Sequence, residues 1–460
     1  MKRLSTLSTA IALFLSCISF SATAQMNTFW ADTLNKTFSE FSLNQKMDGV
    51  TASVVFSDGS VWAAAGGKHG SSPLSVDYLY DMGSCTKTMI STIIMLLEEE
   101  KALSINDTIY SYIDPLNNVA NGITIKQLLN HTSGVFDYTR HPDFVNDVFS
   151  DQTKFWHPDT ILKRYINAPH FMPGTDFRYS NTGYVILGRI IEVVEKKPLN
   201  EVLKQRLFTP LNLENTFLDQ YDAYAQVKTG AWLDANTYFD DEFVSLMSTA
   251  WAAGGVVTTP QDFATYTHKL YRGDVLSSTS MDKLLESLSQ LGFNSEYGLG
   301  VIKTRYKGRT YLGHDGVTLQ NSEMDYSVSS DFSVIVVCLN NGFGMETYRM
   351  KNKLIDLIEY IEEVHDSVSQ AVHVDPNVKP ATVLKAYPNP STGSMTLNYL
   401  GDKTANPELN IYDLQGRLVF QSSVVNGSVT LSSSDLGNGI FVARLDDQQG
   451  GFVTTRIVFQ

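Results

Sequence analysis

The spacing of apolar residues over the first hundred positions predicts two helices and a hairpin. Residues 29–41 repeat apolar side chains at helical spacing, which predicts an N-terminal helix. Two apolar runs at 50–56 and 61–65 flank the turn-forming residues 57–60, and this pattern predicts a β-hairpin. Residues 88–100 form a largely apolar stretch that is long enough for a buried helix.

Further strands are predicted far along the chain. Residues 310–312, 324–328 and 332–339 have strand patterns, and 354–364 have the pattern of a closing helix. A region of helices and loops lies between these segments and the hairpin. The fold class predicted is therefore α/β, with an antiparallel sheet that joins the first and last segments, flanking helices and an inserted helical portion. A functional site is expected where the sheet and this portion meet.

The pattern changes after residue 364. Residues 366–385 are polar, contain Pro376 and Pro380 and show no sustained periodicity, so they are predicted to be a linker. Residues 386–460 carry short strand-like runs separated by turns, which are typical of a small β-sandwich. These runs are 395–400, 409–413, 417–421, 428–431, 440–445 and 452–459.

The N-terminus has the composition of a secretory signal peptide. Residues 1–3 are basic, 11–20 are apolar, and Ala-Thr-Ala at 22–24 is a small-residue cleavage site. The apolar run is too short to span a bilayer, which needs about 20 residues, so no integral span is predicted in the mature chain. A lipid anchor on Cys17 is the alternative, and cleavage after Ala24 is the preferred interpretation. The predicted divisions are signal peptide 1–24, main domain 25–365, linker 366–385 and sandwich 386–460.

Composition excludes several classes of function. The 460 residues carry a net charge of −14, which argues against nucleic acid as a partner because phosphates are bound by Lys and Arg. Only Cys85 and Cys338 remain after removal of the signal peptide, so no disulfide framework is expected. No Cys or His cluster has metal-ligand spacing and no Gly-rich phosphate loop occurs. We therefore predict neither a metal nor a cofactor.

Three short motifs occur in a fixed order and together suit nucleophilic catalysis by serine. They are Ser84-Cys85-Thr86-Lys87, Tyr179-Ser180-Asn181 and His314-Asp315-Gly316. A serine hydroxyl needs a base within about 2.6–3.2 Å, and Lys87 lies three residues beyond Ser84, on the same face of a helix. Ser84 is predicted at a helix N-terminus, where the macrodipole favours negative charge on a substrate. Burial lowers the pKa of a lysine, and a nearby phenol can share its proton.

The remaining motif residues have candidate roles and simpler alternatives. Tyr179 is the candidate phenol, on a loop held by Pro and Gly, although an isolated tyrosine is more often a packed aromatic. Gly316 would let substrate backbone approach closely, and the backbone N–H of Val317 could reach an oxyanion. Asn181 could instead cap the following helix, and His314 could be a structural histidine.

Neighbouring residues and repeated motifs have simpler interpretations. Cys85 is expected to act as a small apolar residue, and His131 to be a turn and packing residue. Second copies of Ser-x-x-Lys at 280–283 and of Tyr-x-Asn at 387–389 lack the surrounding context. The copy at 280–283 is predicted to be an ordinary helix start.

Longer segments around these motifs resemble the serine hydrolases of the class C β-lactamase type, which include D-alanyl-D-alanine carboxypeptidases, D-amino-acid amidases and esterases. The similarity covers most of residues 28–362. Its segments are 81–88 (DMGSCTKT), 128–135 (LLNHTSGV), 177–184 (FRYSNTGY), 253–262 (AGGVVTTPQD) and 297–301 (YGLGV).

The resemblance implies a role for each motif residue and a β-lactamase-like fold. Ser84 would be the acylated nucleophile, Lys87 and Tyr179 would carry protons, and Asn181 would bind the substrate amide. The backbone N–H groups of Ser84 and Val317 would form the oxyanion hole, with Gly316 beside them. His314 replaces the lysine of the third motif, a variation similar to the carboxypeptidase, amidase and esterase branches. Gln320 departs from the family, which often has glycine there.

The implied function is hydrolysis through an acyl-enzyme on Ser84. The expected substrates are D-amino-acid peptides or amides, or carboxylic esters, and a protonated His314 would favour peptide ends that carry a carboxylate. A β-lactamase and a non-catalytic, penicillin-binding-type ligand-recognition protein are the alternatives.

The tail carries a second resemblance. Residues 386–393 (AYPNPSTG), 411–417 (IYDLQGR) and 436–441 (LGNGIF) are similar to the C-terminal sorting domain of type IX secretion cargo. This similarity implies the secretion machinery as a partner and a secreted or cell-surface location, reached through the periplasm. A substrate-binding or adhesion module of the same fold class is the alternative.

Overall fold

The chain forms two compact units, one ending at Ile355 and the other beginning at Asp356. The computed structural model describes residues 28–45, 47, 49–232, 238–239, 243–286, 289–292, 294–340, 344–370, 383–387, 389, 391–400, 407–413, 417–424, 427–446 and 452–459. The predicted signal peptide, with Cys17, and residues 371–382 of the predicted linker lie outside these ranges.

Helices make up much of the first unit, and the last of them, α11, begins in this unit and continues beyond Ile355. In chain order they are α1 (Thr28–Asn44), α2 (Thr86–Glu99), α3 (Ile125–Leu129), α4 (Phe144–Ser150), α5 (Pro158–Arg164), α6 (Asn181–Glu195), α7 (Leu199–Leu203), α8 (Val244–Gly254), α9 (Pro260–Arg272), α10 (Ser278–Leu284) and α11 (Gly344–Gln370). Several begin where the sequence provides a cap. Thr124 and Gln127 form a reciprocal capping box at α3, and the Thr259 side chain accepts a hydrogen bond from the Asp262 N–H at α9.

The strands of the same unit form one large sheet and two small ones. In chain order they are β1 (Gly49–Val55), β2 (Val61–His69), β3 (Ser72–Pro73), β4 (Tyr80–Asp81), β5 (Thr216–Leu218), β6 (Ala231–Trp232), β7 (Tyr238–Phe239), β8 (Val256–Thr258), β9 (Ser289–Gly292), β10 (Ser295–Tyr297), β11 (Ile302–Tyr306), β12 (Arg309–Val317), β13 (Asn321–Ser327) and β14 (Phe332–Cys338).

The large sheet has nine antiparallel strands in the order β3-β2-β1-β14-β13-β12-β11-β10-β9. β1 pairs with β14, so the first and last strand segments are neighbours, as the sequence predicts. Both strands are buried along their whole length, and α9 packs against them. The predicted N-terminal helix, hairpin and strands are all confirmed.

The helix α2 joins the sheet to the helical portion. It contacts β12 on one side and α6 and α8 on the other. Every residue from Thr86 to Leu97 except Leu96 is buried. Each fully buried isoleucine, such as Ile90 or Ile93, contributes about 1.5–3 kcal/mol. The first residues of α2 are therefore held firmly at the junction where the sequence predicts a site.

The second unit contains strands that share one apolar core. They are β15 (Val383–Tyr387), β16 (Ser394–Leu400), β17 (Glu408–Tyr412), β18 (Leu418–Ser423), β19 (Ser428–Ser432), β20 (Gly439–Asp446) and β21 (Phe452–Phe459), with the short helix α12 (Ser433–Leu436). They form a three-stranded sheet, β15-β16-β19, and a four-stranded sheet, β18-β17-β20-β21. Leu397 of the first sheet and Ile411 of the second lie in the same buried cluster. This arrangement agrees with the predicted small sandwich.

The structure differs from the sequence prediction at both ends of the linker. The closing helix runs from Gly344 to Gln370, not only over 354–364, and β15 begins at Val383 within the predicted linker. The early turns of α11 are held by Lys351, which pairs with Glu323 and Asp325 on β13. These are tertiary contacts that local periodicity does not reveal. Within the described part of the chain, no helix is both long enough and apolar enough to cross a bilayer.

Candidate active site

Ser84 lies on a tight turn between β4 and α2. Residues Gly83–Cys85 form one 3₁₀ turn that leads directly into α2. Gly83 has φ +49°, and a Cβ at this position would lie 2.7 Å from the backbone N of Val317, so glycine is required on both grounds. The turn fixes Ser84 at the helix start predicted from sequence.

Lys87 is fully buried, and its amine has three neighbours. Nζ lies 3.0 Å from Ser84 Oγ, 2.8 Å from Asn181 Oδ1 and 2.5 Å from the carbonyl oxygen of Ala253. Burial lowers the pKa of Lys87 to about 7, although the nearby Asp137 carboxylate opposes this effect. A neutral amine has two N–H groups and one lone pair. Because Asn181 and Ala253 offer only acceptors, they take both N–H groups and leave the lone pair for the Ser84 hydroxyl.

The carbonyl of Ala253 is available because it lies in the last turn of α8, where carbonyl groups have no helical partner, and this helix is also kinked. Trp251, within α8, has φ +36° and ψ −121°, values that interrupt the helix two residues before Ala253. A buried tryptophan in this conformation is strained, and such strain persists only where surrounding packing enforces it. Its ring packs against Gly188 of α6, where an added Cβ would lie 2.7 Å away. The kink thus directs one main-chain acceptor to Lys87.

Tyr179 places a buried phenol beside Lys87. Lys87 Nζ lies 4.9 Å from the centre of the Tyr179 ring. The hydroxyl is enclosed and has no hydrogen-bond partner among the described residues. Burial raises the pKa of Tyr179 well above its usual value of 10, and the Ser84 side chain partly offsets that rise. The phenol is therefore neutral at physiological pH and retains a proton to donate.

Asn181 is the first residue of α6, and its amide links Lys87 to a carboxylate. Its Oδ1 accepts from Lys87, while its backbone N–H and its Nδ2 each donate to Asp137 Oδ1 at 3.3 Å. The cap residue of α6 is Ser180, so helix capping does not explain Asn181. Asp137 was missed by the sequence analysis, and its only signal was its position two residues after the 128–135 segment.

His314 lies on β12 with both ring nitrogens engaged inside the protein. Nε2 is 3.0 Å from the hydroxyl of Tyr297, and Nδ1 is 2.5 Å from the carbonyl oxygen of Asp315. Burial lowers the pKa of His314; Asp315 opposes this effect, and Lys87 adds to it. The imidazole is therefore uncharged at neutral pH. The charged form, which would steer a substrate carboxylate, is disfavoured.

Gly316 makes room for the turn that carries Ser84. A Cβ added to Gly316 would lie 2.1 Å from Met82 O, 2.4 Å from Ser322 Oγ and 3.0 Å from Ser84 N. A side chain at this position would therefore collide with residues 82–84 and Ser322, whereas the approach of substrate backbone to Gly316 stays a prediction. Val317, the next residue, has an exposed side chain at the edge of the site.

Gly316→Ala is expected to lower the free energy of unfolding by about 1–3 kcal/mol, because the methyl group must displace the Met82 carbonyl. Activity is expected to fall with it, since the displaced backbone carries Ser84. Thermal unfolding and kcat/KM measure the two effects. Gly292→Ala is the matched control, because no atom lies within 4 Å of its added Cβ. Equal unfolding temperatures and equal kcat/KM in both variants would contradict the close approach of Gly316 to Met82.

Gln320 occupies the position at which the sequence departs from its relatives. Its side chain is buried, accepts from the Asp81 N–H at 3.3 Å and donates to the carbonyl oxygens of Thr229 and Gly230 at 3.2 and 3.0 Å. It therefore ties the loop after β12 to the strand before Ser84. The glutamine therefore holds these two segments together beside the site.

A cavity of about 120 Å³ opens beside Ser84. Its walls are uncharged, and most of them are apolar or carry hydroxyl groups. The lining residues are Ser84, Tyr138, Thr139, Phe144, Asn181, Leu246, Thr249, Ala250, Ala253, Gly254, Val317 and Thr318. The cavity suits a small, largely apolar group attached to a carbonyl.

Cys85 and Cys338 are both buried free thiols. The Cys85 thiol donates to the carbonyl oxygen of His314 at 3.2 Å, and burial raises its pKa. A thiol in this state is not nucleophilic, which agrees with the expectation that Cys85 is a packing residue. In the part of the chain that the structure describes, no group of side chains could hold a metal ion.

This fold, with a serine, lysine, tyrosine and asparagine at one junction, is that of the beta-lactamase family. The chain belongs to this family, whose model matches residues 34–359. The family contains serine hydrolases related to penicillin-binding proteins and D-amino acid amidases. A second family, described as the secretion system C-terminal sorting domain, matches residues 385–460 and implies export by secretion machinery. Both resemblances and the predicted fold class are confirmed.

Individual relatives include penicillin-binding proteins. Penicillin-binding protein 4* of Bacillus subtilis (strain 168) is 26% identical over 264 residues, which are 53% of this chain and 56% of that protein. Penicillin-binding protein 4 of Amycolatopsis lactamdurans is 32% identical over 177 residues, which are 36% of this chain and 43% of that protein. The chain therefore spans only about half the length of these curated relatives.

Solved structures with the same fold include two amide hydrolases. A D-stereospecific amidohydrolase from Streptomyces sp. has 25% sequence identity and a TM-score of 0.60, and the match covers 69% of this chain and 98% of that one. The D-amino acid amidase from Ochrobactrum anthropi SV3 has 22% identity and a TM-score of 0.63, with coverage of 72% and 99%. The second similarity concerns the fold alone.

Proposed function

We propose that this protein is an exported serine hydrolase that forms an acyl-enzyme on Ser84. The observation that carries the proposal is the environment of Lys87. Its amine is 3.0 Å from Ser84 Oγ, its pKa is lowered to about 7, and its N–H groups are already taken by Asn181 and Ala253. A lone pair that faces a hydroxyl is the arrangement a general base requires.

Acylation follows from these groups. Neutral Lys87 accepts the Ser84 proton as Oγ bonds to the substrate carbonyl carbon, and the carbonyl oxygen becomes an oxyanion. The backbone N–H groups of Ser84 and Val317 are proposed to stabilise this charge, since Gly83 and Gly316 bring the two segments into contact. As the bond to the leaving group breaks, Tyr179 donates its phenol proton to that group. The Lys87 ammonium then returns a proton to the Tyr179 oxygen.

Deacylation uses the same residues with water in place of the leaving group. Water loses a proton to the Tyr179 and Lys87 pair, attacks the acyl carbon and displaces Ser84 Oγ, which regains its proton. The product is a carboxylic acid. Asn181, held by Asp137, keeps Lys87 in place through both steps.

The substrates that fit best are small amides and esters, with D-amino-acid amides foremost. The cavity beside Ser84 is uncharged, and His314 is neutral. The similarity to the D-stereospecific amidohydrolase, at 25% identity, also favours an amide. Peptide ends held by a charged His314 are less favoured, because burial opposes the charged imidazole. Peptide carboxypeptidase and β-lactamase activities are the alternatives.

A substrate panel tests this proposal. The mature full-length chain should hydrolyse D-amino-acid amides or p-nitrophenyl esters with saturation kinetics, more efficiently than it hydrolyses a cephalosporin or a D-alanyl-D-alanine peptide. A pre-steady-state burst with the ester would show an acyl intermediate. A folded protein that hydrolyses none of these compounds would contradict the proposal and indicate a ligand-recognition protein.

The pH dependence should reveal the lysine. We expect kcat/KM to rise as the pH passes through about 7, because Lys87 must be deprotonated to accept the Ser84 proton. Below that pH the amine is charged and lacks a lone pair, so activity is lost. Initial rates measured over a range of pH, at substrate concentrations well below KM, give this rise in kcat/KM.

The variant Asp137→Asn tests whether Lys87 is the group whose deprotonation raises kcat/KM. The Asp137 carboxylate opposes the fall in the lysine pKa, so its neutral replacement should move the rising limb to lower pH. Asp137 is not among the groups that shift the pKa of His314. An unmoved limb in a folded variant would exclude Lys87 as the titrating base.

Export is proposed to use both ends of the chain. The predicted signal peptide 1–24 would carry the protein to the periplasm, and the second unit would then direct it outward. A chain that ends at residue 385 should therefore accumulate inside the cell, which fractionation followed by immunoblotting would measure. Recovery of this shortened chain in the medium at the level of the full chain would contradict the role of the second unit.

A further inference from the structure

A line of hydrogen bonds connects His131 to His314 behind the candidate nucleophile. The backbone N–H of Ser180 is 3.2 Å from His131 Nδ1, and His131 Nε2 is 3.1 Å from the Tyr297 hydroxyl. That hydroxyl is 3.0 Å from His314 Nε2, and His314 Nδ1 is 2.5 Å from the carbonyl oxygen of Asp315. His131, Tyr297 and His314 are all buried.

The two ends of this line determine where every proton lies. A backbone N–H can only donate, so His131 Nδ1 is an acceptor and the proton of neutral His131 is on Nε2. A carbonyl can only accept, so His314 carries a proton on Nδ1. His131 Nε2 then donates to Tyr297, and the Tyr297 O–H donates to His314 Nε2. This arrangement, with both imidazoles neutral and of opposite tautomer, satisfies every group along the line.

We propose that His131 and Tyr297 are positioning residues that hold His314 as a neutral imidazole with its proton on Nδ1, and that the enzyme consequently prefers leaving groups without a carboxylate. The inference rests on the proposed hydrolase function and names the substrate class of that site. His314 would then shape the wall of the site rather than bind an anion.

The groups around His314 agree with this assignment. Lys87 and Cys85 face it from α2 and the turn before it, Tyr179 from the segment before α6, and Asp315 follows it on β12. Asp315 favours the charged imidazole, whereas burial and Lys87 oppose it. Protonation of His314 Nε2 would also remove the acceptor to which the Tyr297 O–H donates.

The preference is tested with a matched pair of peptides. N-acetyl-D-alanyl-D-alanine and its C-terminal carboxamide differ in the charge of the leaving group, which is D-alanine or D-alaninamide, and the release of that group is the reaction measured. The mature full-length protein should have the higher kcat/KM for the carboxamide between pH 6 and 8. A preference for the free carboxylate would overturn the inference while leaving the hydrolase function intact.

Tyr297→Phe should weaken this preference. Without the hydroxyl, His314 Nε2 loses its donor and becomes easier to protonate. The ratio of kcat/KM for the carboxamide to that for the carboxylate should fall about fivefold at pH 6 and less at pH 8. Tyr266→Phe removes another buried hydroxyl, which is 3.0 Å from Thr92 Oγ1, and is the control that should leave the ratio unchanged. An unchanged ratio in folded Tyr297→Phe would overturn the inference.

Nitrogen NMR of the wild-type protein tests the tautomers independently of activity. With ¹⁵N-labelled histidine and His314→Gln and His131→Gln for assignment, His314 should show a protonated Nδ1 and an unprotonated Nε2 from pH 6 to 8. His131 should show the reverse. A charged imidazolium or the opposite tautomer at His314 would contradict the inference even if no substrate were hydrolysed.

Discussion

Ser84→Ala is expected to lower kcat/KM by about 10⁴-fold or more, which is the largest effect of any single substitution in this chain. The hydroxyl is the atom that bonds to the substrate, and no other described hydroxyl lies as close to Lys87 Nζ as Ser84 Oγ, at 3.0 Å. The substitution removes one small polar group at the start of α2, so the fold should persist. Steady-state hydrolysis of an ester, with circular dichroism to verify folding, measures the effect.

The second Ser-x-x-Lys sequence provides a control within the same molecule. Ser280 also lies in a helix three residues before a lysine, but Lys283 is paired with Glu98 at 3.2 Å and is 44% exposed. Ser280→Ala should therefore keep nearly full activity. A comparable loss in both variants would mean that Ser84 has no special role.

Lys87→Met is expected to lower kcat/KM by about 10²–10⁴-fold. Methionine approximates the length of lysine without a base, so Ser84 keeps its proton. Two buried acceptors, Asn181 Oδ1 and Ala253 O, would also lose their donor, each at about 1–3 kcal/mol, while the cost of burying the amine is relieved. Stopped-flow measurement of acylation separates the chemical step from binding.

A double variant that combines Lys87→Met with Ser84→Ala tests whether the two residues act together. Because the two residues act as one unit, the double variant should be no slower than Ser84→Ala alone. Lys283→Met is the matched control, and its activity should be close to that of the wild type. A double variant that is slower by the product of both single effects would show that Lys87 acts independently of Ser84.

Local sequence was sufficient for the features whose partners are near in the chain. The helix start at Ser84 and the approach of Lys87 follow from a glycine turn and an i,i+3 spacing. The hairpin of β1 and β2 and the burial of α2 follow from the positions of apolar residues. These patterns also placed the sheet and the helical portion on opposite sides of the site.

The residues that orient the site were not predictable in this way. His131 and Tyr297 are 166 residues apart, and Asp137 and Asn181 are 44 apart. Nothing near any of them in sequence indicates its partner. The role of Ala253 depends on a strained Trp251, and that of Gly316 on the approach of another segment. Such contacts are created by the tertiary fold, which determines the pKa of each buried group.

Covalent labelling of Ser84 tests the central claim most directly. The mature full-length protein is treated with a fluorophosphonate and analysed by intact-protein mass spectrometry and peptide mapping. One adduct per chain is predicted, on the peptide that contains Ser84, in the wild type and in Ser280→Ala but not in Ser84→Ala. A folded, active protein labelled at another residue, or still labelled after Ser84→Ala, would contradict the account.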